Sequence, residues 1–166
     1  MIHGDYEVRA ARIGDIDGIL ALQEANLPAQ GGLLSVRLSA NWFQKAIAGG
    51  FIMAALRNGE VVGYAAATPL SWQAGIPIIQ AMMQAVAIPD DSYIFGPACV
   101  AEAVREHGLA HRMLKEAHAV MGGRPCRTFI REDNAVSRRA ALKAGMREIG
   151  MFRCGETGYV AMAYEG

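Results

Sequence analysis

The sequence predicts a mixed α/β fold: a mostly antiparallel central sheet of six to seven strands with helices on both faces. Three observations carry this expectation. Apolar strand-like runs alternate with helical stretches along all 166 residues. The segment "FIMAALRNGEVVGYAAATP" (51–69) joins two β-rich runs through Asn58-Gly59. That pair suits a tight type I′ hairpin, in which both central positions need positive φ. Finally, a hydrophobic fraction of 52% with 19% charged residues supplies one sizeable core and excludes a disordered chain.

The elements follow in order along what reads as one domain, residues 1–166. "YEVRAA" (6–11) alternates as a strand should. "GDIDGILALQEAN" (14–26) sets Ile16, Ile19, Leu20 and Leu22 on one helical face, with Asp15 as cap or first-turn anion. "LSANWFQKAIAGG" (38–50) reads as a helix capped by Ser39 and ended by its glycine pair. Pro69 closes the second hairpin strand. Residues 70–91 fit either a short buried helix or part of a strand, and the helix is favoured. "SYIFGPACVA" (92–101) is an apolar run typical of a central strand, and Gly96-Pro97 inside it marks a bulge or kink.

A helix opened by residues 105–110 is expected to run to about Met121. "CRTFIRE" (126–132) is a strand, "NAVSRRAALKAG" (134–145) a helix with glycine at its end, and "MREIGMFRC" with "GYVAMAYE" a final antiparallel pair.

Sixteen basic and sixteen acidic residues balance, which argues against broad electrostatic binding of nucleic acid or anionic membrane. Three separated cysteines, Cys99, Cys126 and Cys154, point to free thiols in a reducing compartment. The N-terminus has no apolar leader core. The apolar run "GIPIIQAMMQAVAIP" (75–89) is shorter than the roughly 20 residues a bilayer span needs. A soluble, cytoplasmic protein is expected.

One stretch, "REHGLAHRML" (105–114), looks built around a ligand. Gly108 sits in what reads as the opening of an amphipathic helix, where glycine costs roughly 1 kcal/mol relative to alanine. His107 and His111, four apart, share a helix face, with His118 seven further on, and invite a metal reading. No HExxH order and no carboxylate or cysteine at ligand spacing supports it, so no metal is expected. Cys99 is read as a small buried hydrophobe rather than a nucleophile.

With "NAVSRRAALKAGM", this stretch resembles the GNAT superfamily of acyl-CoA-dependent N-acetyltransferases. The family pattern is a strand, then Arg or Gln, two variable residues, Gly, one variable residue, and Gly or Ala opening a long helix. Arg105, Gly108 and Ala110 stand at those positions. Asn134, Leu142, Lys143 and Gly145 match the family's second, Asn-led helix, with Met146 where an aromatic is usual. The N-terminal β-α unit and the Asn-Gly hairpin also fall where the family has them, so the resemblance spans essentially the whole chain.

The resemblance implies a GNAT-like fold whose strands 92–101 and 126–132 splay apart. It implies acetyl-CoA as cosubstrate, with transfer to a primary amine of a small-molecule or peptide acceptor by direct attack on the thioester. A helix N-terminus leaves N–H donors without partners and carries a positive dipole end, which suits a pyrophosphate. By the resemblance the N–H groups of Glu106, His107, Gly108, Leu109, Ala110 and His111 face it, with Arg105 beside it. Ala98, Cys99 and Val100 offer main chain to the pantetheine arm, one N–H there holding the thioester carbonyl. Asn134 bonds the arm as well.

The chain departs from the family at Ala141, which aligns with a tyrosine commonly used as the acid. Ser137, Cys154 and Tyr159 are the substitutes the sequence offers, and proximity with solvent as proton acceptor is the other route. The alternative function is a GNAT-like module that binds or senses coenzyme A without turnover. Arg131, Arg138, Arg139 and Lys143 form a row for the adenosine 3′-phosphate or a solvated face. Trp42, Phe43 and Trp72 line an acceptor pocket or pack the core, and the methionines (Met82, Met83, Met113, Met121, Met146, Met151, Met162) read as core filler. A homodimer is compatible with the chain. Residues 27–45 and 70–92, the least family-like, are expected to read the acceptor.

Overall fold

The computed structural model describes residues 5–30, 34, 36–105 and 107–166. Seven strands form one sheet: β1 (Tyr6–Ala10), β2 (Ile52–Arg57), β3 (Glu60–Pro69), β4 (Tyr93–Val100), β5 (Cys126–Arg131), β6 (Arg147–Cys154) and β7 (Thr157–Tyr164). Their order is β1-β2-β3-β4-β5-β7-β6. The pairs β1–β2, β2–β3, β5–β7 and β6–β7 are antiparallel, and β4–β5 is parallel. Six α-helices accompany them: α1 (Ile16–Ala25), α2 (Ala40–Ala48), α3 (Leu70–Gln73), α4 (Pro77–Ala85), α5 (Leu109–Val120) and α6 (Ala135–Lys143). Contacts group the chain into two compact units, residues 1–67 with 97–120, and residues 68–96 with 121–166.

In the first unit the Asn-Gly hairpin forms as expected: Asn58 and Gly59 take φ of 51° and 79° and join β2 to β3. Ala54, Ala55, Ala65 and Ala66 line these strands fully buried, so helices approach the sheet closely. Phe43 of α2 packs edge-on against Tyr64 of β3, ring centroids 5.6 Å apart. On the opposite face the main chain at Gly63 lies close to Met113 of α5. Successive strand residues face opposite sides, so α2 and α5 cover the two faces of this unit. Phe43 is therefore core, as is the fully buried Met113. Ser39 caps α2, its Oγ accepting from the Trp42 N–H at 3.1 Å.

Helix α1 buries Ile19, as its apolar face requires, but also Gln23. Gln23 is tolerated inside because its amide mimics a main-chain partner. Its Nε2 donates to Leu38 O at 2.9 Å, and its Oε1 accepts from Leu38 N at 2.8 Å. Asp15 turns backward instead of capping α1: its carboxylate accepts from Arg12 N at 2.7 Å and from Arg9 at 2.8 and 3.2 Å.

In the second unit β7 lies between β5 and β6, with Phe129↔Ala161 on one side and Phe152↔Tyr159 on the other. Residues 70–91 resolve into two short helices, α3 and α4, with Pro77 at the first turn of α4. Helix α4 packs on β6, where a side chain at Gly150 would meet Val86. Arg127, buried on β5, donates to Ala87 O just beyond the α4 C-terminus, where a cation offsets the helix dipole. Helix α6 begins at Asn134, whose Oδ1 accepts from Ser137 N at 3.2 Å.

One expected boundary is corrected. The helix predicted from residue 105 starts at Leu109, after a single 3-10 turn at Glu102–Val104. Gly108 is not interior: its φ is 74°, and its carbonyl accepts the first helical bond, from Arg112 N at 3.0 Å. It is the residue on which α5 begins, and a positive φ there is why glycine is used.

Asp15 gives this fold a pH dependence. The hydrogen bonds from Arg9 hold its carboxyl below the ordinary value of 3.8. A carboxyl depressed in the folded state stabilises above its unfolded pKa and loses that contribution as pH falls through the folded value. By urea denaturation, the advantage of wild type over Asp15→Asn should be full at neutral pH and shrink below 3.8. An advantage that stays constant into strong acid would show that the Arg9–Asp15 pair does not carry it.

Candidate functional site

The first unit brings the end of β4, the following turn and the start of α5 together. The N–H groups of Leu109, Ala110 and His111 precede the first helical bond of α5, so the helix offers no internal acceptor to them. A Cβ built on Gly108 would meet no atom within 4 Å, so its outer side is open space. Ala110 and His111 are exposed and Leu109 is buried under the helix. A helix N-terminus of this kind attracts anions through main-chain donors and the dipole, without any particular side chain.

Arg105 does more locally than the motif implies. Its Nε donates to Val100 O at 3.0 Å and its Nη2 to Asn26 Oδ1 at 2.8 Å. Asn26 is the C-cap of α1, so one guanidinium ties the end of β4 to the end of α1. The Val100 carbonyl is thereby occupied. His107 stacks on Tyr6 with centroids 5.6 Å apart, and Arg57 lies 5.6 Å over the other partner of that stack. Glu106 lies outside the described residues.

Cys99 is buried, its Sγ 3.9 Å from Leu22 O. Burial pushes its thiol up to about 11, against a smaller opposing pull from Arg105. A protonated, enclosed thiol is no nucleophile at neutral pH. Nearby, the Tyr64 hydroxyl is buried with no hydrogen-bond partner among the described residues, and burial raises its pKa well above the ordinary value.

In the second unit β4 and β5 share the register Tyr93↔Cys126 and Ile94↔Arg127, two residue pairs in strands of eight and six. Two residues later Gly96 takes a φ of 135°, and its carbonyl accepts from Gln73 Nε2 at 3.1 Å. Asn134 spends its Oδ1 on the α6 cap, which leaves its amide nitrogen as the group suited to a ligand carbonyl.

The substitutes for the missing tyrosine lie in different settings. Ala141 is buried in α6. Tyr159 is buried between aromatic neighbours, stacked on Phe152 at 5.4 Å and edge-on to Phe129 at 5.5 Å. Ser137 sits half-buried in the first turn of α6, and Cys154 half-buried at the end of β6. Of the basic row, Arg131 pairs with Asp133 and Arg138 with Glu148, both at 3.0 Å. Among the described residues, no group of three or more His, Cys, Asp or Glu is placed to hold a metal, and no helix is long and apolar enough to cross a membrane.

Sequence reasoning missed Asn26, Thr68 and Gln73. Asn26 lies 79 positions from Arg105 and Gln73 lies 23 from Gly96, so no local spacing announces either pairing. The one available signal was an isolated glutamine in the apolar stretch "LSWQAGIP".

In this sheet β4 pairs in parallel with β5, and α5, with its open N-terminus, follows β4 in the chain. The acetyltransferase (GNAT) family model matches residues 16–146, and the chain belongs to that family of acetyl-CoA-dependent acyltransferases. No curated protein sequence matches it. Solved structures share its fold at low identity. The ribosomal-protein-alanine N-acetyltransferase of Brucella melitensis has TM-score 0.71 and 19% identity, covering 96% of this chain and 99% of that one. The yncA protein of Salmonella typhimurium, solved with its cofactor acetyl-CoA, has TM-score 0.69 and 16% identity, covering 97% and 94%. A chain of the NatC complex bound to Gag peptide and CoA has TM-score 0.69 and 12% identity, covering 98% and 99%.

The thiols provide a check on this geometry. Burial holds Cys99 at about 11 and Cys126 at about 12, while Cys154 is half-buried. Iodoacetamide at neutral pH should label Cys154 first and the other two after denaturation, as read by peptide mass spectrometry. Rapid native labelling of Cys99 would contradict its enclosure.

Proposed function

We propose that the chain, acting as one domain over residues 1–166, transfers the acetyl group of acetyl-CoA to a primary amine of a small-molecule or peptide acceptor in the cytoplasm. The observation that carries this reading is the start of α5. Gly108 at φ 74° leaves open space beside three main-chain N–H groups at a helix N-terminus, where a side chain would otherwise stand. Those groups fit a diphosphate. The three unpaired cysteines support a reducing compartment.

In this reading Leu109, Ala110 and His111 bind the pyrophosphate through main-chain N–H groups, with the Arg105 guanidinium close by in the chain. Main chain of Ala98, Cys99 and Val100 lies along the pantetheine arm. Arg105 already takes the Val100 carbonyl, so the free groups of this stretch are the ones that pair with the arm. Asn134 contributes its amide nitrogen. When bound, acetyl-CoA supplies an acetyl group activated as a thioester, open to direct attack by a neutral amine. With alanine at 141, protons move through solvent or one of Ser137, Cys154 and Tyr159, and orientation supplies most of the acceleration. Tyr159 is the least suited of these, because its ring is held among Phe129 and Phe152.

The second reading, a coenzyme A-binding module without turnover, rests on Ala141. Thiol release from acetyl-CoA across a panel of small amines and peptide N-termini separates the two. Release with at least one amine is expected, whereas tight binding without release for every amine favours the module.

Replacing Gly108 with Val tests the cradle. The new side chain points into open space, so its folded-state cost is the strained φ, about 1–3 kcal/mol. The variant should stay folded by circular dichroism yet lose about tenfold or more in coenzyme A affinity by calorimetry, or roughly 1.4 kcal/mol. Unchanged affinity in a folded variant would refute the assignment.

A further inference from the structure

The Gly96–Pro97 peptide is unusual in what it offers its surroundings. Proline has no N–H, so the carbonyl of Gly96 is the sole main-chain hydrogen-bonding group of that peptide unit. Gln73 of α3 takes this carbonyl, its Nε2 donating at 3.1 Å. The same nitrogen donates to Thr68 Oγ1, at the end of β3, at 2.7 Å. A primary amide carries two hydrogens, and these two acceptors use both. Thr68 is 0% and Gln73 3% exposed, so the amide and its bond to Thr68 are shielded from water, while Gly96 is half-buried. In such a site an unmade bond leaves a polar group fully desolvated, which makes the arrangement strongly determined. Gly96 itself has a φ of 135°, and the β4–β5 register reaches Ile94↔Arg127 before it.

We propose that Gln73 is a positioning residue for acetyl transfer. It fixes the plane of the Gly96–Pro97 peptide and so sets the direction of the main-chain N–H groups that follow at Ala98–Val100, which hold the thioester carbonyl. This rests on the function proposed above. It also gives α3, in the segment expected to read the acceptor, a direct hold on the strand that presents the acyl group. Thr68 orients the Gln73 amide and acts one step further back.

The test compares wild type with Gln73→Met, which keeps the length of the side chain and removes the donor, and with Thr68→Val. Three quantities are read on each: the dissociation constants of coenzyme A and of acetyl-CoA by calorimetry, and thiol release with the best amine of the panel. The pyrophosphate cradle is untouched, so coenzyme A affinity should stay within about twofold of wild type in both variants. The ratio of acetyl-CoA to coenzyme A dissociation constants should rise several-fold in Gln73→Met. Its kcat should fall by tens of fold, towards the roughly 100-fold that a misplacement of about 1 Å costs. Thr68→Val should shift both in the same direction by less, and it carries the test if Gln73→Met does not fold. A merely structural role lowers the melting temperature and leaves both the ratio and kcat per folded molecule unchanged, and that result overturns the proposal. A wild type that binds neither ligand overturns the proposed function itself, and this inference with it. Wild-type binding and turnover with an unaffected Gln73→Met overturns the inference alone.

Discussion

A peptide bond whose nitrogen belongs to proline gives a sheet half the usual hydrogen bonding, and here that bond lies within β4. Main-chain polar groups inside a protein need partners, so a strand carrying such a bond depends on what takes the remaining carbonyl. In this fold a side chain does, from a helix four residues long. The parallel pairing that precedes it is brief, and the main chain beyond it runs to Val100, whose own carbonyl is held by Arg105. Two side chains, Gln73 and Arg105, therefore fix opposite ends of the same stretch.

The charges show the same economy. Arg9, Arg37, Arg131, Arg138 and Arg147 pair with carboxylates of the protein, and Arg127 with carbonyls. Arg105 spends two donors on protein oxygens. In the proposed function the anion is met by oriented main-chain dipoles at the start of α5. Dipoles of this kind are fixed by the backbone and need no reorganisation when a ligand arrives.

Local chemistry was legible in the sequence and distant chemistry was not. Asn58-Gly59 announces its hairpin because the φ requirement belongs to those two residues alone. Ser39 and Asn134 announce their helices in the same way, each bonding an N–H three residues on. Gly108 was placed inside the helix by the sequence, since the periodicity of "REHGLAHRML" continues through it while the backbone does not. Gln23, Asn26 and Gln73 left no trace in periodicity, because each satisfies main-chain or side-chain groups 15 to 79 positions away. The insertion of β7 between β5 and β6 likewise follows from pairing that a hairpin signal does not encode.

The bond from Arg105 to Asn26 has a consequence for how such a chain can diversify. Asn26 caps the C-terminus of α1 and precedes the segment that leads to α2, so any change in that segment begins beside a residue already committed to Arg105. A transplant of residues 27–39 from a relative is compatible with this scaffold when Asn26 stays behind. A transplant that takes position 26 along must bring its own oxygen for the guanidinium, or the change of specificity also loosens the turn before α5. The chain is thus less modular than its segment boundaries make it look, and its natural cut point lies one residue after α1 caps itself.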